Sequence, residues 1–143
     1  MFLELINKKQ YDLQARQLFL ELNEDISKTH NSLTILEIKE VIKERDNMLV
    51  NYGLVELGID VLGKLMKGFR GSSYIVQEDY METLIEIQEI FYFVKRETDD
   101  TLSDDVLIEL LIETFNNDCR GSLDLLWINM ERYATKFRRE NLE

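Results

Sequence analysis

The chain has 143 residues, of which 45% are hydrophobic and 31% are charged, and it contains no proline. This composition is globular rather than disordered, and the length predicts a single helical domain over residues 1–143. The formal net charge is −11, and residues 78–124 alone carry 14 acidic and 3 basic residues. Such acidity argues against direct binding of nucleic acid, whose phosphates require basic surface, and is compatible with a basic protein partner.

The cysteine content and the N-terminal sequence both bear on localisation. Cys119 is the only cysteine, which excludes an intramolecular disulfide and fits a reducing compartment. The sequence MFLELINKKQ places its apolar residues before its lysines, the reverse of a secretory signal, and no apolar run approaches the length of a membrane span. The sequence therefore predicts a cytoplasmic protein without membrane association.

The first two predicted helices occupy the N-terminal third. Helical spacing of apolar residues predicts a helix over residues 8–25, while the apolar run 2–6 either docks on the core or frays. Residues 26–32 are polar and indicate a loop. Thr34 and Glu37 have the spacing of a capping box, and Gly53 is a suitable residue to follow the end of this second helix.

Glycines at positions 53, 58, 63, 68 and 71 mark the next stretch. They indicate either a loop or a helix that packs very closely on a neighbour. Because the apolar residues keep a helical period, we predict a short helix over residues 58–69. Each interior glycine costs that helix about 1 kcal/mol relative to alanine.

Residues 77–97 predict the central helix, around which the others are organised. Its apolar residues cover more than half of the circumference, so it requires neighbours on two sides. The remaining strip is acidic and includes Glu82, Glu86 and Glu89. Phe93 projects into this strip, and it is either covered by a loop or the C-terminal segment, or exposed as an aromatic anchor for a partner.

Two further helices complete the chain. Ser103 is a predicted N-cap, followed by acidic residues that favour the positive end of the helix dipole. This helix is expected to end near Arg120, with Gly121 after it, and Ser122 caps the last helix. The sequence thus predicts an all-α bundle of about five or six helices.

No motif in the sequence predicts a cofactor, a metal site or a catalytic residue. Residues 58–64 match the start of a phosphate-binding loop, but Leu65 stands where serine or threonine would hold magnesium, and no strand precedes it. The single histidine, His30, excludes the usual paired glutamate–histidine dimetal site. Cys119 is interpreted as a structural thiol rather than a nucleophile paired with His30.

Four stretches resemble a family of short bacterial proteins that is uncharacterised. They are VELG at 55–58, SSYIVQEDYMETLIEIQEIFY at 72–92, LSDD at 102–105 and GSLDLL at 121–126. The resemblance implies an acidic, all-helical protein from a bacterium and a cytoplasmic location. It implies no activity, cofactor or site residue.

Three functions are compatible with these features. The leading hypothesis is a non-enzymatic interaction module that presents the acidic strip, with Phe93 as a possible anchor, to a basic protein partner. The first alternative is an enzyme or small-ligand binder with a pocket beside the helix over 58–69, near Lys64 and Arg70. A weaker alternative is a nucleic-acid mimic with regularly spaced carboxylates. Homo-oligomerisation is left open.

Overall fold

The computed structural model describes the backbone of residues 2–23 and 31–141, and the side chains of residues 9–23 and 31–141. These residues form an all-α bundle, as predicted, and contain no strand. The helices are α1 (Phe2–Asn23), α2 (Ile35–Tyr52), α3 (Asp60–Phe69), α4 (Tyr80–Glu97), α5 (Asp104–Glu113) and α6 (Leu123–Asn141).

The predicted helix ends are largely confirmed by their hydrogen bonds. Thr34 and Glu37 form a reciprocal capping box at the start of α2, and Gly53 ends that helix in the left-handed conformation with φ 67°. The side chains of Ser103 and Ser122 each accept a hydrogen bond from a backbone amide in the first turn of α5 and α6. Local capping chemistry therefore fixes where three of the six helices begin.

The predicted starts of α3 and α4 are two and three residues too early, because these helices begin at Asp60 and Tyr80. Two further boundaries differ more. Helix α1 begins at Phe2 rather than at residue 8, because residues 2–10 contain no helix-breaking residue and are rich in good helix formers. The predicted end at residue 25 and most of the predicted loop 26–32 lie outside the described residues. Helix α5 ends at Glu113 and continues as a π-helical segment, Thr114–Asp118, in which Cys119 donates its amide proton to the carbonyl of Thr114.

Helix α4 is the central element, as its broad apolar face predicted. It packs between α2 and α6, and it also contacts α3 and α5. The middle of its apolar arc is fully buried, and Met81 and Ile85 at one side of the arc are half-buried. The hydroxyl of Tyr80 donates a 3.0 Å hydrogen bond to the carbonyl of Met66 in α3. A short 3₁₀ turn, Gln77–Asp79, leads into the helix. The strip between α2 and α6 is the part of α4 that faces outward.

The interior glycines of α3 allow close contact with two neighbouring helices. A methyl group added to Gly63 would lie 3.2 Å from Leu18 of α1, and one added to Gly68 would overlap Ile112 of α5. Of the two interpretations of the glycine spacing, close helix packing therefore applies at these two positions. Glycine inside a helix is unfavourable relative to alanine, and the burial of α3 against α1 and α5 offsets this loss of stability.

One polar side chain in the core lacks a partner. Gln88, in the middle of α4, is completely buried. Neither its amide nitrogen nor its amide oxygen has a hydrogen-bond partner within the described residues. Such an orphaned amide destabilises the folded state.

Candidate functional site

The acidic strip, by which we mean Glu82, Glu86 and Glu89, lies on the side of α4 between α2 and α6. Glu82 is exposed, and the other two side chains are half-buried. The indole nitrogen of Trp127 in α6 donates a 3.3 Å hydrogen bond to Glu86, and the hydroxyl of Tyr52 in α2 donates a 3.4 Å hydrogen bond to Glu89. The flanking helices therefore orient two of the three carboxylates.

Phe93 lies beside the strip, and α6 covers part of it. Its ring meets the ring of Trp127 edge to face, with the centroids 5.6 Å apart, and the side chain is half-buried. The structure thus brings the C-terminal segment onto Phe93, which is the first of the two arrangements considered for this residue. A ring packed in this way contributes to the α4–α6 contact.

Positive charge limits the strip at the C-terminal end of α4. The guanidinium of Arg96 lies over the ring of Tyr52, 4.8 Å from its centroid, and is paired with Glu97 at 2.9 Å. Arg138 of α6 donates a 2.8 Å hydrogen bond to the carbonyl of Glu97. The acidic strip is therefore bounded to about two turns of helix, from Glu82 to Glu89.

Sequence reasoning missed a second polar region, the buried polar cluster, composed of Arg45, Glu56, Tyr92, Lys95 and Asp104. The hydroxyl of Tyr92 donates hydrogen bonds of 2.9 and 3.1 Å to the two carboxylate oxygens of Glu56. Arg45 lies 3.6 Å from the same carboxylate, and Lys95 pairs with Asp104 at 3.0 Å. The cluster links α2, the segment that follows it, α4 and the start of α5.

Burial perturbs the acid–base properties of this cluster. It raises the pKa of Glu56, an effect that the hydrogen bond from Tyr92 and the charges of Arg45 and Lys95 only partly offset. Burial also raises the pKa of the Tyr92 hydroxyl, and the nearby carboxylate of Glu56 adds to that increase. Groups with perturbed pKa values often mark functional sites, but structural ion-pair networks also shift the pKa values of their members. Here the charged groups satisfy one another, which is what a structural network requires.

A signal for the cluster was present in the sequence. Arg45 occupies a position on the buried face of α2, among aliphatic residues, and only a charged residue with a buried partner is stable there. Glu56, by contrast, lies in a segment without regular structure, so no periodicity indicated its direction.

The two cations predicted beside α3 lie apart, and the space of about 530 Å³ at the C-terminal end of that helix, lined by Lys67, Gly68 and Asn116 among others, is open to solvent. Lys64 is exposed and pairs with Asp105 at 2.7 Å, whereas Arg70 is buried and donates a 2.7 Å hydrogen bond to the carbonyl of Leu22. The two cations therefore do not converge on a shared site. A cavity next to Arg70 has a volume of about 10 Å³, enough for one water molecule at most.

Cys119 is buried, and the side-chain amide of Asn129 donates a 3.4 Å hydrogen bond to its sulfur. Burial raises the pKa of this thiol, which disfavours the nucleophilic thiolate. His30 lies outside the described residues. Within residues 9–23 and 31–141, no three histidine, cysteine or carboxylate side chains cluster in a way that could hold a metal ion.

Residues 18–143 match the model of DUF6323, a family of unknown function. The chain belongs to this family. The DUF6323 match confirms the resemblance to an uncharacterised family and reaches upstream of the stretches that indicated it. No curated protein and no solved structure matches the chain. Among the described helices of this DUF6323 protein, none is long and apolar enough to cross a membrane.

Proposed function

We propose that this protein is a non-enzymatic interaction module that binds a basic protein partner through the acidic strip of α4. One observation carries the proposal: the strip is a row of carboxylates on successive helical turns, and the neighbouring helices hold two of them in place. Oriented carboxylates lose less side-chain entropy when a lysine or arginine of a partner pairs with them. The acidic strip therefore has the properties of a prepared docking site.

The charge distribution supports the same proposal. Residues 78–124 have a net charge of −11, whereas the remainder of the chain is close to neutral. A concentrated field of one sign steers an oppositely charged partner and raises its association rate. Because salt screens exposed charges, the binding should weaken as ionic strength rises.

The proposal is tested by neutralising the strip without changing its shape. In the triple variant Glu82→Gln/Glu86→Gln/Glu89→Gln, the amides retain an oxygen that accepts from Trp127 and Tyr52. We expect affinity capture from cells of the native source, quantified by mass spectrometry, to lose at least one protein that the wild type retains. The recovery of that protein should also fall when the salt concentration is raised.

The matched control removes the same charge elsewhere. Glu109, Glu113 and Glu131 are exposed on α5 and α6, so Glu109→Gln/Glu113→Gln/Glu131→Gln changes the net charge equally and leaves the strip intact. This control should retain the partner. Identical recovery by the wild type and both triple variants would reject the acidic strip as the docking site.

A further inference from the structure

The segment between α2 and α3 has the reverse of the usual arrangement of polar and apolar side chains. Leu54 and Ile59 point toward the core, and so does the carboxylate of Glu56, whereas Val55 is 86% exposed and Leu57 is 92% exposed. Isolated exposed aliphatic residues are common. Here, however, two aliphatic side chains face water while the carboxylate between them is only 8% exposed.

Several contacts hold the segment in this unfavourable orientation. Gly53 and Gly58 bracket it in left-handed conformations, with φ of 67° and 80°. Arg45 donates a 2.6 Å hydrogen bond to the carbonyl of Gly58, and Tyr92 binds the carboxylate of Glu56. The fold thus forgoes the stabilisation of burying two aliphatic side chains and bears the cost of burying a carboxylate. A rigid segment that displays apolar side chains is suited to a partner.

The charges around the segment indicate the chemistry of that partner. The two cations of the buried polar cluster are inside, since the side chains of Arg45 and Lys95 are 5% and 8% exposed. Their acidic partners reach the surface: Asp46 and Asp104 are about one-third exposed, and Asp100 is 58% exposed. Together with Glu56, these groups are four carboxylates and two cations, so the surface beside the segment carries a net negative charge.

The segment is also continuous with the acidic strip. Tyr52, the last residue of α2, contacts Glu89, and Glu56 contacts Tyr92 one turn further along α4. The segment from Gly53 to Gly58 thus adjoins the C-terminal end of the strip, where Arg96 lies over Tyr52.

We infer that Val55 and Leu57 are the apolar anchors of the docking surface, and that its occupant is an amphipathic basic segment of a partner protein, with apolar side chains on one face and lysine or arginine around them. This inference rests on the proposed function and adds the part of the surface that selects for apolar residues. The acidic strip supplies attraction, and the two anchors supply the contact area from which water is excluded.

The test uses two synthetic peptides as probes. One is a 14-residue peptide of leucine and lysine spaced to form an amphipathic helix, and the other has serine in place of every leucine. In isothermal titration calorimetry, Val55→Ser/Leu57→Ser should weaken binding of the leucine–lysine peptide at least about tenfold. The same variant should bind the serine–lysine peptide as the wild type does.

A matched control comes from another exposed pair. Leu13 and Leu36 are 69% and 76% exposed in a groove of about 840 Å³ between α1 and α2, whose lining includes Lys9, Lys39 and Lys43. The variant Leu13→Ser/Leu36→Ser removes as much aliphatic surface from basic surroundings and should leave both affinities unchanged. Because all four side chains are exposed, both double variants should keep the wild-type helical circular dichroism.

The outcomes separate this inference from the proposed function. Wild-type affinity of Val55→Ser/Leu57→Ser for the leucine–lysine peptide overturns the inference, and so does failure of the wild type to bind that peptide. If Val55→Ser/Leu57→Ser keeps wild-type affinity while Glu82→Gln/Glu86→Gln/Glu89→Gln loses affinity for both peptides, the proposed function stands without the anchors. If that variant binds both peptides as the wild type does, the proposed function fails.

Discussion

The glutamate side chains point in opposite directions in two neighbouring regions, the acidic strip of α4 and the segment from Gly53 to Gly58. Along α4, Glu82 is exposed, and Glu86 and Glu89 lie at the edge of the two neighbouring helices. In the segment, the carboxylate of Glu56 points inward to Arg45 and Tyr92, and the aliphatic side chains on either side of it point outward. The two regions lie side by side and contain the same kind of residue.

The difference shows which force decides the direction of a side chain in each case. In a helix, backbone geometry fixes the direction of every side chain, so the apolar arc determines what faces water. In a short irregular segment, specific partners decide, and here a buried arginine and a buried tyrosine overcome the preference of a carboxylate for water. The contrast depends on Arg45, and its removal is the most direct way to break it.

Replacement of Arg45 should have the largest effect. In Arg45→Met, Glu56 would keep its burial and lose its nearest cation, and the carbonyl of Gly58 would lose its donor. We expect the free energy of unfolding at pH 7 to fall by about 3 kcal/mol, measured by urea denaturation. Lys43→Met, at an exposed position of the same helix, should change it by less than about 0.5 kcal/mol. Equal effects of the two substitutions would mean that Arg45 does not support the inward glutamate.

Gln88 provides a second test, because its inward-pointing amide has no hydrogen-bond partner among the residues that the structure describes. Gln88→Met replaces the orphaned amide with an apolar side chain of similar shape and should raise the free energy of unfolding by about 1–2 kcal/mol. The control Gln17→Met alters an exposed position of α1 and should have little effect. Destabilisation by Gln88→Met would show that the amide is satisfied by a group such as a buried water molecule.

The smallest expected effect is a dependence of stability on pH. The pKa of Glu56 is raised above its ordinary value of 4.5, so the folded state holds this proton more tightly than the unfolded chain does. The stabilisation from this group is complete below about pH 4.5 and is lost as the pH rises through the raised pKa.

Comparison with Glu56→Gln, which cannot titrate, isolates this contribution. The free energy of unfolding of the wild type minus that of the variant should decrease as the pH rises from about 4.5 through the raised pKa of Glu56. The measurement is urea denaturation of both proteins at each pH. A difference that increases with pH would indicate that ion pairing with Arg45 outweighs the desolvation of Glu56.

Periodicity and capping predicted the fold well because both are local. The central position of α4 followed from the width of its apolar face, and the starts of α2, α5 and α6 followed from Thr34, Ser103 and Ser122. The π-helical segment after α5 was missed, because the contacts around it are not local. Gly121 follows it with φ 82°, and a side chain at this position would overlap Tyr74.

The candidate site could be predicted only where a helix defined it. The order of Glu82, Glu86 and Glu89 along one face of α4 follows from helical periodicity, but periodicity does not reveal that Trp127 and Tyr52 reach two of them. It also gave no direction for Glu56, Val55 or Leu57. Their orientations depend on Arg45 and Tyr92, which are distant along the chain, and single-residue patterns carry no information about such pairings.

The position of Trp127 gives the protein an optical reporter. It is the only tryptophan in the chain, and its indole touches both Phe93 and Glu86 at the margin of the acidic strip. The intrinsic fluorescence excited at the red edge of the absorption band therefore originates from this one position. A ligand that binds the strip changes the polarity around the Trp127 indole. Binding can therefore be followed by the tryptophan fluorescence of the unlabelled wild-type chain.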